Sequence, residues 1–396
     1  MISRRAAALP PSSTATLDAH VKKLVADGAD VINLTGGELD FPTPDVACRG
    51  GIRAIEDGFT RYTAVAGIAP LRQAIANRLS DKWDCGYDGD DVIVTNGAKQ
   101  ALANVFSVLL DPGDEVVLQA PHWVSFPHMI AVAGGVPVVV ETGPDTGYKL
   151  DPGTVAERIT PHTKVLLLNS PSNPTGVVYD SAELTALARL AADHDLLIVS
   201  DEIYSDLVYA GPEFTSVAAL GTDAWSRTIT VGGFSKTFAM TGWRIGFAAG
   251  PQPVIAAMTA LQGHTSSAPS SISQRAALSV LHDEPVAELK QRKAELDRRR
   301  SLACAGVADL PGLELAVEPR GAFFALVDVS GAYGRQHDGV EIKDAATFAE
   351  RLLHEVNVAV MPGADFGAPD HIRISYAVSG EDITEAFHRI RGFLSR

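Results

Sequence analysis

Cysteine is scarce in this sequence, with only Cys48, Cys85 and Cys304 among 396 residues. An odd, scattered set fits neither a disulfide framework nor the paired spacing of a zinc site, so no metal is expected and a reducing cytoplasm is the simplest setting. Long apolar runs are also lacking, since none approaches the ~20 residues that a membrane helix needs. Basic blocks are missing too. Lys and Arg number 33 against 48 Asp and Glu, for a net charge of −15. The most basic stretch, RKAELDRRR, is broken by acids and reads as a solvated helix face. An acidic chain without a basic stripe is a poor candidate for nucleic acid or an anionic membrane. Arg4-Arg5 near the start resembles a twin-arginine export signal, but AAALPPSSTATLDAH follows in place of an apolar region.

Length is what the chain has. At 396 residues it exceeds one ordinary core, so two domains are expected. From about residue 90, short β-rich runs alternate with helical ones. Val92 to Thr95 reads as a strand, Asn96-Gly97 as a turn, and Ala98 to Leu110 as a helix closed by Asp111-Pro112-Gly113. Further strands are expected at Glu115 to Leu118, Val136 to Val140, Lys164 to Asn169 and Leu196 to Ser200. The last two are nearly all apolar, which suits parallel strands buried on both faces. Between them SAELTALARLAADHD has helical periodicity, with Ser181 as the expected cap and Glu183 behind it. Strand, helix and strand in this order make βαβ crossovers and an α/β domain. After Pro285 a long charged helix leads into strands around Phe323 to Val327 and Ile372 to Tyr376, an α+β pattern. The expected division is a large domain of residues 49–284 and a smaller one made of 1–48 and 285–396.

Four segments carry chemistry. In GGFSKTFAMTGWRIGFAAG, Lys236 is surrounded by Gly, Phe, Met and Trp, with Arg244 as the only other charge. A desolvated lysine near a second cation has a lowered pKa, and its neutral amine can attack an aldehyde. The Gly-rich, Lys-Thr character also suggests a nucleotide P-loop, but Ser235 stands where that motif needs glycine. In LLIVSDEIYSD, Asp201 comes just past a buried strand, where α/β folds place ligand groups. A carboxylate there can pair with the protonated ring nitrogen of pyridoxal 5′-phosphate (PLP), and Tyr204 is near enough to reach the same ligand. On its own, an acid after a strand is usually a helix cap. NSPSNPTG describes a tight turn that could hold the Asn173 amide against a cofactor oxygen. In HIRISYA, Arg373 interrupts a strand and is a candidate bidentate clamp for a substrate carboxylate, although a solvent-facing strand arginine would look the same.

In this order and spacing the segments resemble the class I/II aminotransferases of PLP fold type I, over nearly the whole chain. The resemblance implies an aspartate-aminotransferase-like α/β fold, with a large domain on a mostly parallel sheet and a smaller α+β domain. It assigns the SK-x7-R pattern to Ser235, the Schiff-base lysine Lys236 and a phosphate-binding Arg244. The DxxY pattern becomes Asp201 and Tyr204, the NPTG asparagine Asn173, and the RxSY arginine Arg373. Lys236, Asp201 and Tyr204 would be catalytic. Trp123 resembles the aromatic that stacks on the ring, and Gly97-Ala98-Lys99 resembles a phosphate cradle of backbone N–H groups. Tyr62 resembles a tyrosine that reaches the phosphate of a neighbouring subunit, which implies a homodimer with shared sites. Gly37 resembles a glycine lying against the substrate carboxylate, with Asn173 and Trp123 beside it.

Two departures bear on substrate. Gly233 replaces a frequent phosphate-binding serine, and Leu39 replaces the proline of the usual GEPDF. Lys99 with Ser12 and Thr14 resembles the set by which a bacterial aspartate/prephenate subgroup holds a distal carboxylate. The implied reaction moves an amino group between an acidic amino acid and a 2-oxo acid. A PLP enzyme of elimination, replacement or cyclisation would share the same cofactor residues. A PLP-binding regulator would need a basic DNA-binding domain ahead of the pattern, which here starts within the first few tens of residues.

Overall fold

The computed structural model describes residues 2–3, 7, 9–11, 13–209, 211 and 213–396. Its centre is a seven-stranded sheet in the order Val92–Thr95, Gly246–Ala249, Thr228–Gly233, Leu197–Asp201, Thr163–Asn169, Glu115–Ala120 and Val136–Glu141. Gly246–Ala249 runs antiparallel to both neighbours, and the other strands are parallel. The apolar runs read from sequence are among these strands; Thr163–Asn169 and Leu197–Asp201 are buried on both faces, while the edge strand Val136–Glu141 is largely half-buried or exposed. Ala101, Leu102 and Val105 of helix Ala98–Leu109 pack on one side. Leu184, Leu187 and Ala191 of helix Ser181–Asp193 pack on the other. Each side chain fully withdrawn from water contributes about 1.5–3 kcal/mol, so both faces hold the sheet flat against its helices.

A second sheet of four antiparallel strands has the order Met361–Pro362, His371–Ser375, Phe324–Asp328 and Glu314–Leu315. Helices Val286–Ala308, Ala345–Val356 and Gly380–Leu394 close its core around Leu296, Phe348, Phe387 and Ile390. Near the N-terminus, Ile32–Asn33 pairs in parallel with Val358–Ala359, which ties the first residues to this body. Among the described residues, no helix is long and apolar enough to cross a membrane.

Several local expectations change. The cap of helix Ser181–Asp193 is Asp180, not Ser181. Its carboxylate accepts from the Glu183 amide at 2.8 Å, while the Glu183 side chain accepts from the Asp180 amide at 2.7 Å. This reciprocal pair satisfies two N–H groups, which a cap one residue later could not do. The RKAELDRRR stretch is not a solvated face either. Arg292, Arg299 and Arg300 are buried. Arg299 pairs with Asp40 at 2.7 Å, Arg300 with Glu318 at 3.0 Å, and Arg292 donates to the Pro42 carbonyl at 2.7 Å. The Arg292 and Arg299 guanidinium groups pin residues 40–42 to the long helix, and Arg300 pins Glu318. Helix Ser13–Ala26 holds Thr14 in its first turn. Ser12 lies outside the described residues.

Candidate active site

Parallel strands end on one edge of the sheet, and there the chemistry gathers. Asn169, Asp201 and Val231 are register partners across three adjacent strands. Asp201 is the last residue of its strand, one place earlier than expected. Above this edge lies an open cleft of roughly 450 Å³ between the two sheets, with Asp201, Tyr204, Lys236 and Arg373 on its wall. The same cleft is lined by Asn173, Trp123, Ala98, Lys99, Ser235, Arg244, Gly37 and Thr14.

Lys236 sits in the turn that follows strand Thr228–Gly233. Its ammonium donates to the Gly37 carbonyl and lies over the Phe323 ring at 5.6 Å. Burial brings its pKa down to about 8; Glu38 and Asp201 oppose the shift while Arg373 and Arg244 add to it. Asp201 is 4% exposed, and burial raises its carboxyl to about 7, against the Ile203 amide and the Lys236 charge that favour the anion. The Ile203 N–H reaches Asp201 Oδ1 at 3.2 Å. Tyr204 stands edge-on to Phe323 and Phe324, and burial pushes its phenol well up.

Arg373 is 3% exposed, on a central strand of the second sheet. It donates to the Thr35 carbonyl at 2.7 Å and to Asn173 Oδ1 at 3.1 Å, and its plane lies over Phe324 at 4.3 Å. Its Nε has no hydrogen-bond partner among the described residues. Burial lowers the guanidinium to about 10. A buried cation without a carboxylate is costly to maintain unless an anion arrives to meet it.

The turn at Gly97 explains two glycines. Gly97 has φ +84°, and a Cβ there would stand 2.5 Å from the Arg244 guanidinium. Helix Ala98–Leu109 starts at this point without a side-chain cap, so its first amides have no acceptor within the helix. With Arg244 beside them they form an anion-binding corner. Arg244 is itself held by the Thr241 and Asn96 carbonyls at 2.9 and 3.3 Å. Gly233 opposes Gly246 in the sheet, and its Cβ would lie 3.1 Å from Ile203 and 3.2 Å from Gly246 Cα. Close backbone approach accounts for the missing serine. Leu39, the other departure, is buried in the core of the second sheet.

Tyr62 is the residue not brought in. It is 95% exposed and outside this chain's cleft. Three contributors escaped the sequence reading. Thr35 acts through its backbone carbonyl, which no side-chain pattern announces. Asn169 accepts from the Asn173 amide at 3.0 Å and donates to the Asp201 carbonyl at 3.1 Å; a polar residue ending the apolar run KVLLLN was its signal. Glu202, next to Asp201, is buried and raised to about 7 by desolvation, although the Ser200 and Ser216 hydroxyls and the Val217 amide favour its anion.

These groups fit PLP by their own chemistry. A lowered lysine offers an amine for an aldehyde, a buried acid lacks a cation, and a helix start with an arginine lacks an anion. The unpaired Arg373 Nε leaves room for a carboxylate alongside.

Comparisons with known proteins agree. Residues 29–390 match the family model for aminotransferase class I and II. The aspartate/prephenate aminotransferase of Thermus thermophilus is 44% identical over 397 residues, covering 100% of this chain and 99% of the relative. The aspartate aminotransferase of Bacillus subtilis is 40% identical over 395 residues, covering 100% and 99%. Among solved structures, the T. thermophilus aspartate aminotransferase with maleate has a TM-score of 0.93 at 43% identity, with 99% of each chain covered. With this fold, this cleft and full-length kinship at that level, the chain belongs to the class I and II aminotransferases, enzymes that depend on PLP.

Proposed function

We propose that the amino donor is aspartate or glutamate and that the cleft residues act as follows. Lys236, Asp201, Tyr204, Asn173, Trp123, Ser235, Arg244 and the helix-start amides of Ala98 and Lys99 hold PLP, while Gly97, whose own amide donates to the Thr95 carbonyl at 2.8 Å, turns the chain into that helix start. When bound, PLP supplies an aldehyde for the donor amine and a cationic ring that takes up the electron pair left at Cα. Arg373 grips the substrate α-carboxylate, its plane held by Thr35 and Asn173 and by Phe324 beneath, with the Gly37 backbone alongside. That grip aims the Cα–H bond toward Lys236. Lys236 Nζ takes the Cα proton and is the group that gives it back; an amine near pKa 8 is suited to both at neutral pH. Asp201 stays anionic beside the ring nitrogen, because a cation at that point reverses the burial that raises its pKa.

The acidic substrate rests mainly on Lys99. Its ammonium lies over the Trp123 ring at 4.8 Å at the edge of the cleft, near Thr14. Lys99 is exposed along its length, but partial shielding of its ammonium from water, and then Arg244, lower its pKa, so its near charge is a second cation. A distal carboxylate would relieve that crowding. Maleate, named with the T. thermophilus structure, is likewise a dicarboxylate. The test is to add single amino acids to the PLP-loaded protein and follow conversion of the cofactor to its amine form by absorbance. Aspartate and glutamate should convert it fastest; faster conversion by alanine or phenylalanine would end the acidic reading.

The exposed Tyr62 supports a homodimer in which it completes the partner's phosphate site. Mixing Tyr62→Phe with Lys236→Ala chains should give hybrids of intermediate activity, and the absence of any hybrid phenotype would count against shared sites. The domain division at 49 and 285 also belongs to this reading; helix Asp45–Glu56 crosses the first boundary and helix Val286–Ala308 starts at the second. Three free cysteines support a reducing, cytoplasmic setting.

A further inference from the structure

Behind the cleft, on the side of the lysine turn away from it, lies an ion cluster that the reaction chemistry leaves unused. Arg78 and Lys82 stand one turn apart on helix Ala69–Trp83. Arg78 reaches Asp206 at 2.9 Å and Glu284 at 2.5 Å, while Lys82 reaches Asp206 at 2.6 Å and Glu284 at 3.5 Å. The Arg78 and Asp206 side chains are 12% and 17% exposed, so solvent screens them little.

Two links join the cluster to the chemistry. Asp206 Oδ2 accepts from the Thr237 hydroxyl at 2.8 Å, and Thr237 follows Lys236 directly. The Arg78 guanidinium lies 5.2 Å from the centre of the Phe238 ring. Phe234 to Phe238 form a single helical turn, closed by the Phe238 amide on the Phe234 carbonyl at 3.2 Å. Lys236 is its middle residue, so Thr237 and Phe238 anchor the turn while Lys236 Nζ reaches the cleft. On its own side, Asp206 belongs to the turns that directly follow the strand-end Asp201: Ser205 N–H donates to Glu202 O at 3.0 Å, and Leu207 N–H to Tyr204 O at 2.8 Å.

We propose that Asp206 is a positioning residue, locking the lysine-bearing turn to the acid-bearing turn through Thr237 so that Lys236 Nζ stays at its working distance from Asp201 and Gly37. Its charge is what lets one carboxylate hold three donors at once. Burial works against that charge, but Arg78, Lys82 and Thr237 together keep the carboxyl below its ordinary value. Freed from the clamp, the Phe234–Phe238 turn would let Lys236 drift toward water. The proposal rests on the reading of Lys236 as the lysine that bonds the cofactor.

The test uses the full-length protein with Thr237→Val, Thr237→Ser and Asp206→Asn. In the chain stripped of PLP, the pH dependence of Lys236 acetylation by acetic anhydride is read on the peptide that contains it. The charged groups facing Lys236 are Glu38, Arg373, Arg244 and Asp201, and none is altered by these variants. In Thr237→Val the labelling midpoint should rise toward the ordinary lysine value of about 10.4. In the loaded enzyme kcat should fall roughly 10- to 100-fold with KM little changed, the scale of an ångström-sized misplacement. Thr237→Ser should restore both readings, and Asp206→Asn should follow Thr237→Val. If Asp206→Asn does not fold, Thr237→Val carries the test alone. A folded Thr237→Val with unchanged midpoint and kcat would overturn the proposal and leave the cluster a stability element. Failure of the underlying reading would show separately, as borohydride failing to fix PLP on Lys236 in the unaltered protein.

Discussion

At the floor of the cleft, Asn173, Asp201 and Arg373 are 6%, 4% and 3% exposed. Each is tied by hydrogen bonds to a strand end or to a neighbouring segment. At the mouth, Gly37, Lys99 and Arg244 are exposed, and Thr14 and Asp18 come from a helix that packs only through its inner face. The floor charges sit in low dielectric with incomplete partners, which makes each one expensive and each ligand contact strong. Mouth charges are screened by water, where an ion pair is worth about 0–1 kcal/mol unless a ligand covers it. On the proposed reading, the floor meets the reacting end of the substrate, while the mouth supplies Arg244 to the cofactor phosphate and the Lys99 ammonium to the distal end of the substrate.

Substitutions at the two levels should separate by size. On the proposed reading, Lys236→Ala removes the proton carrier and the covalent anchor together, and turnover should fall by at least about 10⁴-fold, with PLP still bound weakly. Near-normal turnover in that variant would break the comparison outright. Asp201→Asn keeps the shape but cannot stand as an anion beside a ring cation, so kcat should drop roughly 10²- to 10³-fold with the melting temperature little changed. A loss below tenfold would mean that the floor needs no electron sink. Lys99→Ala tests the mouth. Loss of a charge-assisted contact of about 1.5–3 kcal/mol lowers kcat/KM for aspartate roughly 10- to 150-fold, while alanine and phenylalanine should be unaffected. Equal losses on all substrates would move Lys99 from the mouth to the phosphate corner.

Local signals made much of this legible. Nearly unbroken apolar runs announced the parallel strands, because a strand buried on both faces has no polar side to show. Lys236 stood out as a lone amine in an apolar segment, and Asp201 as an acid at a strand end. Where the reading of the long helix slipped, the deciding partners were far away in sequence; where the cap slipped, the partner was three residues away. The arginines of RKAELDRRR look solvated beside their own acids, but Asp40, Pro42 and Glu318 draw them inward. Ser181 and Asp180 are both good caps, and only the reciprocal bond with Glu183 selects between them.

The sequence by itself determined the strand–helix alternation, which follows from residue type and short spacing, and its resemblance to the class I/II aminotransferases pointed to PLP and to Lys236, Asp201 and Arg373. Tertiary structure decided what those residues feel. It placed the Thr35 carbonyl against Arg373, folded Gly233 onto Gly246, and joined Asp206 to Thr237 across the turn behind Lys236. Burial then lowered the lysine to about 8 and raised the acid to about 7. Desolvation and contacts between distant segments set these values, and neither exists until the chain has closed around the cleft.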